Sequence, residues 1–304
     1  MKKLITALLV LTFVSVFVPL TQAASISHVY DFTGQGWDNV NGVTFEGLTF
    51  TNDGTLWITS APNSTPNKGQ LIGVDLATET VLSQEDYTNR VTGDVWGGWA
   101  SSLFNPVALA SDGENLFVGS NGKSSWFNNY VYTTDQTASL TDPLKVSGAV
   151  CNDPEGAAYL GGAIYLTCEE SHKIIKLNQN GTVENVLTGV TALGLAATET
   201  SLIVGDYANH DIFIYDVATG QETERIDLEA LFPNYEVQVT AGDIRSVPDP
   251  DGLAYRNGKI YMTFEHDLRV FEISLDVVPT PEPGTLLLLG AGLLGLAQLR
   301  RKRS

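Results

Sequence analysis

The chain has 304 residues, with 17 basic and 35 acidic side chains and a formal net charge of −18. All of the acidic residues lie between Asp31 and Glu282, and such an acidic surface excludes nucleic-acid binding while favouring solubility and divalent cations. Between the two end segments about 250 residues remain, which is enough for one sizeable domain.

Residues 1–23 are predicted to be a signal peptide. Lys2 and Lys3 precede an almost unbroken apolar run over residues 4–18, and Ala23 and Ala24 are small residues suited to cleavage. A basic start, an apolar stretch and a small-residue cleavage site are the three parts of a secretory signal. We therefore expect processing by signal peptidase after Ala23 or Ala24.

Residues 24–276 are predicted to form an all-β domain, a β-propeller. Five stretches share one pattern: a short strand, a tight turn, a second strand ending in Thr or Gly, a polar loop and a third strand. Their first strands begin near Glu46, Val107, Glu155, Leu193 and Asp251. Turns such as Gly161-Gly162 supply the positive φ that hairpins require. A fourth strand follows several units, and recurring four-stranded units are typical of propeller blades.

The N-terminal strand is predicted to close the ring. The last unit lacks a fourth strand, whereas the strand at residues 26–32 has no unit before it, and pairing the two would remove an exposed edge. Five blades are readable, and a degenerate sixth could lie within residues 86–105 or 231–248. A β-sandwich, which the turn spacing could also support, is the alternative.

The C-terminal segment has the composition of a membrane anchor. A linker over residues 277–283 is followed by residues 284–299, which carry no charge and would span about 24 Å as a helix. That is a little short of a usual membrane span, but a basic tail over residues 300–304 follows directly. The positive-inside rule would hold this tail in the cytoplasm, so we predict a transmembrane helix with the preceding domain outside.

This arrangement resembles the PEP-CTERM sorting signal of Gram-negative bacteria. The residues that carry the resemblance are Pro281, Glu282, Pro283, Arg300, Arg301, Lys302 and Arg303. It implies recognition by an exosortase, a membrane cysteine protease-transpeptidase, and anchoring in the membrane until processing near the Pro-Glu-Pro. It also implies a destination at the cell surface or in the extracellular matrix of a bacterium that makes polysaccharide or biofilm.

The repeated units resemble the broad six-bladed TolB-like group, which includes NHL-type and gluconolactonase-type propellers. The matching segments are Glu46-Gly47-Leu48-Thr49-Phe50, Asp153-Pro154-Glu155-Gly156 and Asp249-Pro250-Asp251-Gly252. That group contains lactonases, esterase-like enzymes and pure binding domains. The resemblance therefore indicates a fold and leaves the function open.

Distinctive polar residues are expected on one face of the propeller, where each innermost strand begins beside the end of its neighbour. Glu46, Glu155 and Asp251 occupy equivalent positions, and without a cation they would raise each other's pKa if they converged. Oxygen ligands suit Ca²⁺, so a calcium site is one hypothesis. The other is that these acids cap backbone amides at the strand openings or simply face water. Further candidate ligand-binding residues on this rim are Asn121, Glu169, Glu170, His172, Asp206, His210, Glu265 and His266.

Two residue pairs allow more than one interpretation. His172 and His210 occupy matching loop positions, which favours a loop preference over a ligand pair.

Cys151 and Cys168 flank one hairpin, and an exported chain meets an oxidising compartment. A disulfide between them is predicted, with two buried free thiols as the alternative.

The sequence thus predicts an exported propeller with a binding or scaffolding role toward an unknown ligand, with extracellular polysaccharide as a candidate partner. Trp96, Trp99 and Trp126 could stack on sugars, although packing between blades is favoured. One rival is a Ca²⁺-dependent lactonase or esterase-like hydrolase acting at the channel mouth, and another is a structural matrix component. The absence of a Gly-x-Ser-x-Gly elbow or a His-Glu-x-x-His motif disfavours an enzyme.

Overall fold

The computed structural model describes residues 23–33, 43–62, 69–87, 106–120, 128–147, 150–240, 243–264 and 267–276. Residues Ala24–Leu275 form one compact unit. Most of the predicted signal peptide, the linker, the helix predicted at 284–299, the basic tail and the three tryptophans named above lie outside the described ranges. Within those ranges, no helix has both the length and the apolar character needed to cross a membrane.

Five four-stranded sheets make up the described part of the chain. After β1 (Ala23–Asp31), the first sheet contains β2 (Val43–Phe50), β3 (Leu56–Pro62), β4 (Gln70–Asp75) and β5 (Thr80–Asp86). The second contains β6 (Pro106–Ser111), β7 (Leu116–Ser120), β8 (Asn128–Thr134) and β9 (Leu140–Ser147). The third contains β10 (Pro154–Leu160), β11 (Ala163–Cys168), β12 (Lys173–Asn178) and β13 (Val183–Thr188).

The C-terminal part of the ring adds two more sheets and a small insertion. The fourth sheet contains β14 (Ala192–Ala197), β15 (Ser201–Asp206), β16 (Asp211–Asp216) and β17 (Gln221–Asp227). The insertion consists of α1 (Leu228–Leu231) and a hairpin of β18 (Val237–Thr240) and β19 (Asp243–Arg245). The last blade is built from β20 (Pro250–Arg256), β21 (Lys259–Phe264) and β22 (Arg269–Asp276).

The N-terminal strand completes the fifth blade, whose strand order is β1-β22-β21-β20. Ser27 Oγ donates to the Glu272 carbonyl at 3.2 Å, and Phe32 N–H donates to the Leu268 carbonyl at 3.1 Å, so β1 runs antiparallel to β22. This confirms the predicted fold class and ring closure. The described residues form five blades, one fewer than the TolB-like group has. In the range 231–248 the described residues hold the end of α1 and the hairpin, and residues 88–105 of the other range considered for a sixth blade lie outside the described part of the chain.

Apolar side chains fill the spaces between adjacent blades. Each of the five buried clusters combines strands from two neighbouring blades, so together they run around the ring. In one of them Ile58 of the first blade packs with Tyr261 and Val270 of the fifth. Burial of this surface at every interface holds the blades together as one domain.

The innermost strands approach one another so closely that a side chain would not fit. A Cβ on Gly156 would lie 2.2 Å from the carbonyl oxygen of Leu193 in the next blade, and a Cβ on Gly252 would lie 2.2 Å from that of Glu46. Contacts below 3.0 Å are essentially never made by a real Cβ. Glycine therefore follows each rim carboxylate because the channel wall has no space for a larger residue.

Glu272 joins the closing strand to the rest of the fifth blade. Only 5% of this residue is exposed, and its carboxylate accepts hydrogen bonds from Ser27 Oγ at 2.6 Å and Tyr30 Oη at 2.9 Å, both on β1. Burial alone would raise its pKa, but hydrogen bonds from Lys259, Ser27, Tyr30 and Tyr261 outweigh burial and lower the pKa to about 2. The closing strand is thus attached through a buried, ionised carboxylate.

Candidate functional site

The innermost strands begin on one face of the ring, called here the upper face. Glu46, Glu155 and Asp251 lie at this end of β2, β10 and β20. The opposite lower face carries the first hairpin turns of the blades, such as Gly161-Gly162. Neighbouring strands of a blade are antiparallel, so they run in alternating directions between the two faces. Each second strand therefore ends on the upper face, and each third strand begins there.

A β-bulge at the upper end of the innermost strand sets the direction of the rim carboxylates. The register shifts between Phe45 and Leu48 and, in the third blade, between Pro154 and Ala157, so that Glu46 and Glu155 fall within the bulges. A bulge opposes two residues to one and re-aims a side chain. The same shift between Pro250 and Leu253 contains Asp251.

A threonine on the second strand stabilises the bulge in two blades. The Thr167 hydroxyl accepts a hydrogen bond from Gly156 N–H at 2.6 Å and donates to the Leu193 carbonyl of the next blade at 2.8 Å. In the first blade, the Thr59 hydroxyl accepts a hydrogen bond from Gly47 N–H at 2.8 Å and donates to the Val107 carbonyl of the next blade at 3.2 Å. In these two blades, the threonine that ends the second strand in the sequence pattern therefore connects the bulge to the neighbouring blade.

Three carboxylates meet at the upper end of the third blade. Asp153 precedes β10, Glu155 lies in its bulge, and Glu169 opens the 3-10 turn Glu169–Ser171 that follows β11. One carboxylate oxygen from each lies within 4.8 Å of the other two. The Glu169 N–H donates to the Asp153 carbonyl at 2.9 Å, which holds the two backbone segments together. We call these three residues the acidic cluster.

The electrostatics of the acidic cluster favour a proton or another cation. Burial raises the pKa of Glu155 well above its usual range, and the nearby negative charges of Asp153, Glu46 and Glu169 raise it further, as does a side-chain hydrogen bond with Asp153. Glu46 thus acts on Glu155 from the first blade, while its own carboxylate accepts a hydrogen bond from Thr44 Oγ1. A bound cation would remove this repulsion.

A disulfide ties the two backbone segments of the acidic cluster together. Cys151 and Cys168, the pair predicted from the sequence, are bonded with an S–S distance of 1.97 Å and a Cα–Cα distance of 5.1 Å. Both residues are buried. Cys151 lies two residues before Asp153, and Cys168 directly precedes Glu169, so the bond restrains both approaches to the cluster.

The third residue predicted as a metal ligand is placed differently. Asp251 is buried, with 4% of the residue exposed, and it is not part of the acidic cluster. It belongs to the fifth blade, whereas all members of the acidic cluster belong to the third. Of the three equivalent positions, only that of Glu155 is in the cluster, and Asp153 and Glu169 of the same blade complete it.

The two histidines have a common backbone role. His172 and His210 have φ values of 49° and 54°, in the left-handed region that histidine enters more readily than most residues. Their carbonyls accept hydrogen bonds from Gly189 N–H at 2.7 Å and Leu228 N–H at 3.0 Å, respectively. This shared geometry favours the loop interpretation over a ligand pair.

The other rim residues make separate contacts. Glu170 is exposed and accepts a hydrogen bond from Asn152 Nδ2. Asp206 is buried and accepts one from Asn209 at 2.8 Å. His210 Nδ1 lies 2.9 Å from the Asp249 carboxylate. The remaining candidates, Asn121, Glu265 and His266, lie outside the described residues.

Sequence reasoning missed Asp153 as a site residue, although a signal was present. Asp-Pro precedes the rim carboxylate in two blades, as Asp153-Pro154 and Asp249-Pro250. In the structure Asp153 belongs to the acidic cluster and Asp249 contacts His210, so both aspartates lie on the upper face.

Below the mouth, the channel is narrow. A cavity of about 100 Å³ is lined by residues of the innermost strands, among them Thr49, Ala158 and Leu195. Pockets for small molecules usually measure about 300–1,000 Å³, so this space suits a few water molecules. The acidic cluster at the mouth is the better candidate for ligand binding.

Comparison with known proteins identifies the C-terminal segment. Residues 279–302 match the PEP-CTERM protein-sorting motif, which implies an exported protein that exosortase sorts and that is anchored at its C-terminus before processing. The match includes all of the predicted motif residues except Arg303. No curated protein matches the sequence significantly.

Solved structures resemble this chain to different degrees. Glutaminyl cyclase of Myxococcus xanthus is similar with a TM-score of 0.59 and 20% identity, over 86% of this chain and 99% of that one. Virginiamycin B lyase of Staphylococcus aureus has a TM-score of 0.42 and 11% identity, over 83% and 100% of the two chains. Aldose sugar dehydrogenase of Streptomyces coelicolor, in its PQQ-bound form, has a TM-score of 0.46 and 13% identity, over 86% and 85%. At these identities the likeness concerns the fold alone.

Proposed function

We propose that this exosortase-sorted propeller is a binding or scaffolding protein of the cell surface or extracellular matrix of a Gram-negative bacterium, and that its upper mouth binds Ca²⁺. The acidic cluster is the observation that carries the proposal. Two oxygens that bind the same Ca²⁺ at about 2.4 Å can lie no more than about 4.8 Å apart. The carboxylate oxygens of the cluster meet this limit.

The type of ligand atom favours a hard cation. The cluster offers only carboxylate oxygens, which suit Ca²⁺, whereas Zn²⁺ usually takes nitrogen and sulfur ligands. Burial and the repulsion of the neighbouring carboxylates raise the pKa of Glu155, and a divalent charge at the cluster would counteract both by stabilising the ionised form. Glu46 adds a fourth negative charge close by.

A bound Ca²⁺ would also provide a means of recognising a partner. Calcium takes six to eight oxygen ligands, more than three carboxylates supply as single donors. Oxygen atoms of an extracellular polysaccharide could fill remaining positions, in keeping with the matrix role that the sorting motif's family implies. Signal peptidase is the expected partner at the other end of the precursor.

Calcium titration of the purified protein tests this proposal. We expect one site by calorimetry and a higher Tm with Ca²⁺ than with chelator, because the cation binds only the folded cluster. Glu169→Gln should weaken binding by about tenfold or more, equivalent to about 1.4 kcal/mol. Glu170→Gln is the matched control, since the adjacent carboxylate lies outside the cluster. Absence of bound Ca²⁺ together with an unchanged Tm would reject the site.

A Ca²⁺-dependent lactonase or esterase-like hydrolase is the second candidate, and the raised pKa of Glu155 is the observation that favours it. A carboxyl group with a raised pKa is suited to general acid–base chemistry. The test is a panel of esters and lactones, with an N-terminal glutaminyl peptide added because a glutaminyl cyclase shares the fold. If Glu155→Gln and Asp251→Asn left a detected activity intact, catalysis at the mouth would be rejected.

A further inference from the structure

The chain leaves the propeller on the lower face. β20 begins on the upper face, β21 returns to it, and β22 then runs from Arg269 on the upper face to Asp276 on the lower face. The sorting motif matches from residue 279 onward, so only residues 277 and 278 separate the last strand from it. The C-terminal exit is therefore opposite the acidic cluster.

The N-terminal strand starts on the same lower face. β1 is antiparallel to β22: Ser27 is hydrogen-bonded to Glu272 in the middle of the pair, and Phe32 is hydrogen-bonded to Leu268 nearer the upper face. It begins at Ala23, where signal-peptide cleavage is predicted, and Ala24 packs in the same apolar cluster as Leu275. Both points at which the precursor would be attached to the membrane thus lie side by side, on one face of one blade.

The tether is short compared with the blade. Residues 277–283 are seven in number, and a chain of seven residues can span no more than about 24 Å. A six-residue strand such as β16 spans about 20 Å at 3.3 Å per residue. To bring the upper face to the membrane, the tether would have to climb the whole blade, which would use nearly all of its length.

From this geometry we propose that the anchored protein stands with its lower face toward the membrane and its upper face away from it. In this orientation, the part of the lower face next to β1 and β22 faces the membrane and the sorting protease. The acidic cluster points into the extracellular space while the chain is still anchored. This orientation does not depend on what the cluster binds.

Two matched alanines at opposite ends of one strand allow a direct test. Ala208 lies in the upper turn before β16 and Ala218 in the lower turn after it, and both are exposed. The native cysteines are joined in a disulfide, so a cysteine introduced at either position can be labelled alone. The full chain, made without exosortase so that the anchor is retained, is placed in phosphatidylcholine vesicles that carry a nitroxide quencher on the lipid headgroups.

We expect the fluorophore on Ala218→Cys to be quenched at least about twofold more strongly than that on Ala208→Cys, because the two positions differ by about 20 Å along the strand. A chain cut before residue 279 should lose quenching at both positions. Circular dichroism and Tm values equal to the parent's establish that each variant is folded. Equal quenching, or stronger quenching at position 208, would overturn the proposed orientation.

Discussion

Replacing Glu272 with glutamine tests how the ring is closed. The native carboxylate is 5% exposed and accepts hydrogen bonds from Ser27 and Tyr30 of the closing strand, while Lys259 lies beside it. Its pKa falls from 4.5 to about 2 on folding. Since one pKa unit corresponds to about 1.4 kcal/mol, this change amounts to about 3.4 kcal/mol. The partner Lys259 is partly exposed, so solvent screening reduces the stabilisation of the folded state to about 2–3 kcal/mol at neutral pH.

The pH dependence gives this prediction its sign. A carboxylate with a lowered pKa contributes stability that is fully present above its unfolded value, near 4.5, and is lost as pH falls toward 2. Glu272→Gln should therefore lower the free energy of unfolding by about 2–3 kcal/mol at pH 7 and by roughly half as much at pH 3. Urea denaturation followed by circular dichroism at both pH values measures the difference.

A second Lys–Glu pair provides the control. Lys176 and Glu184 lie 3.7 Å apart on the outer strands of the third blade, where the Glu184 side chain is 61% exposed. An exposed pair of this kind contributes about 0–1 kcal/mol, so Glu184→Gln should change stability little at either pH. A loss at pH 7 no greater for Glu272→Gln than for Glu184→Gln, or a loss that does not change with pH, would refute the reasoning.

Three further predictions concern the channel wall and the acidic cluster. Gly156→Ala should destabilise the fold by about 1–3 kcal/mol or prevent folding, because its Cβ would meet a carbonyl 2.2 Å away. The control is Gly161→Ala, whose Cβ meets nothing within 4 Å and which should cost about 1 kcal/mol. Equal urea midpoints for the two variants would contradict this prediction. Reducing the disulfide, which closes a 17-residue separation, should cost about 3 kcal/mol, and an unchanged Tm with dithiothreitol would exclude that contribution. Without a divalent cation, the raised pKa of Glu155 should make stability fall as pH rises above about 4.5, because the folded state then binds more protons than the unfolded one. Saturating Ca²⁺ should reduce this slope, and a slope that Glu155→Gln leaves unchanged would assign it to other groups.

The blades were predictable because their signals are local. Alternating apolar residues and turns such as Gly161-Gly162 determine each hairpin, and the unpartnered strand at residues 26–32 indicated how the ring closes. The number of blades was harder to read, since residues 231–248 contain enough apolar residues for strands, whereas the described residues in this range form a short helix end and a hairpin.

The site was only partly predictable because it depends on the backbone geometry within one blade. Repeat position alone treats Glu155 and Asp251 as equals, yet the cluster forms only where Asp153 and Glu169 of the third blade meet Glu155. Asp153 joins the cluster with a φ of 57°, held near Glu169 by a backbone hydrogen bond and by the disulfide, and the Asp-Pro pattern that it shares with Asp249 does not indicate these contacts. Glu169 was found because the ends of second strands must lie on the rim.

Closure of the fifth blade joins the first strand to be synthesised with the last. β1 and β22 lie about 245 residues apart where Ser27 meets Glu272, so this pairing is the contact that the growing chain can form only at the end of its synthesis. Contacts of such long sequence separation form slowly, and an unpaired strand edge promotes aggregation. During export, the edge of β1 therefore stays unpaired until β22 has followed it across the membrane. The ring can consequently close only after the whole propeller has been translocated.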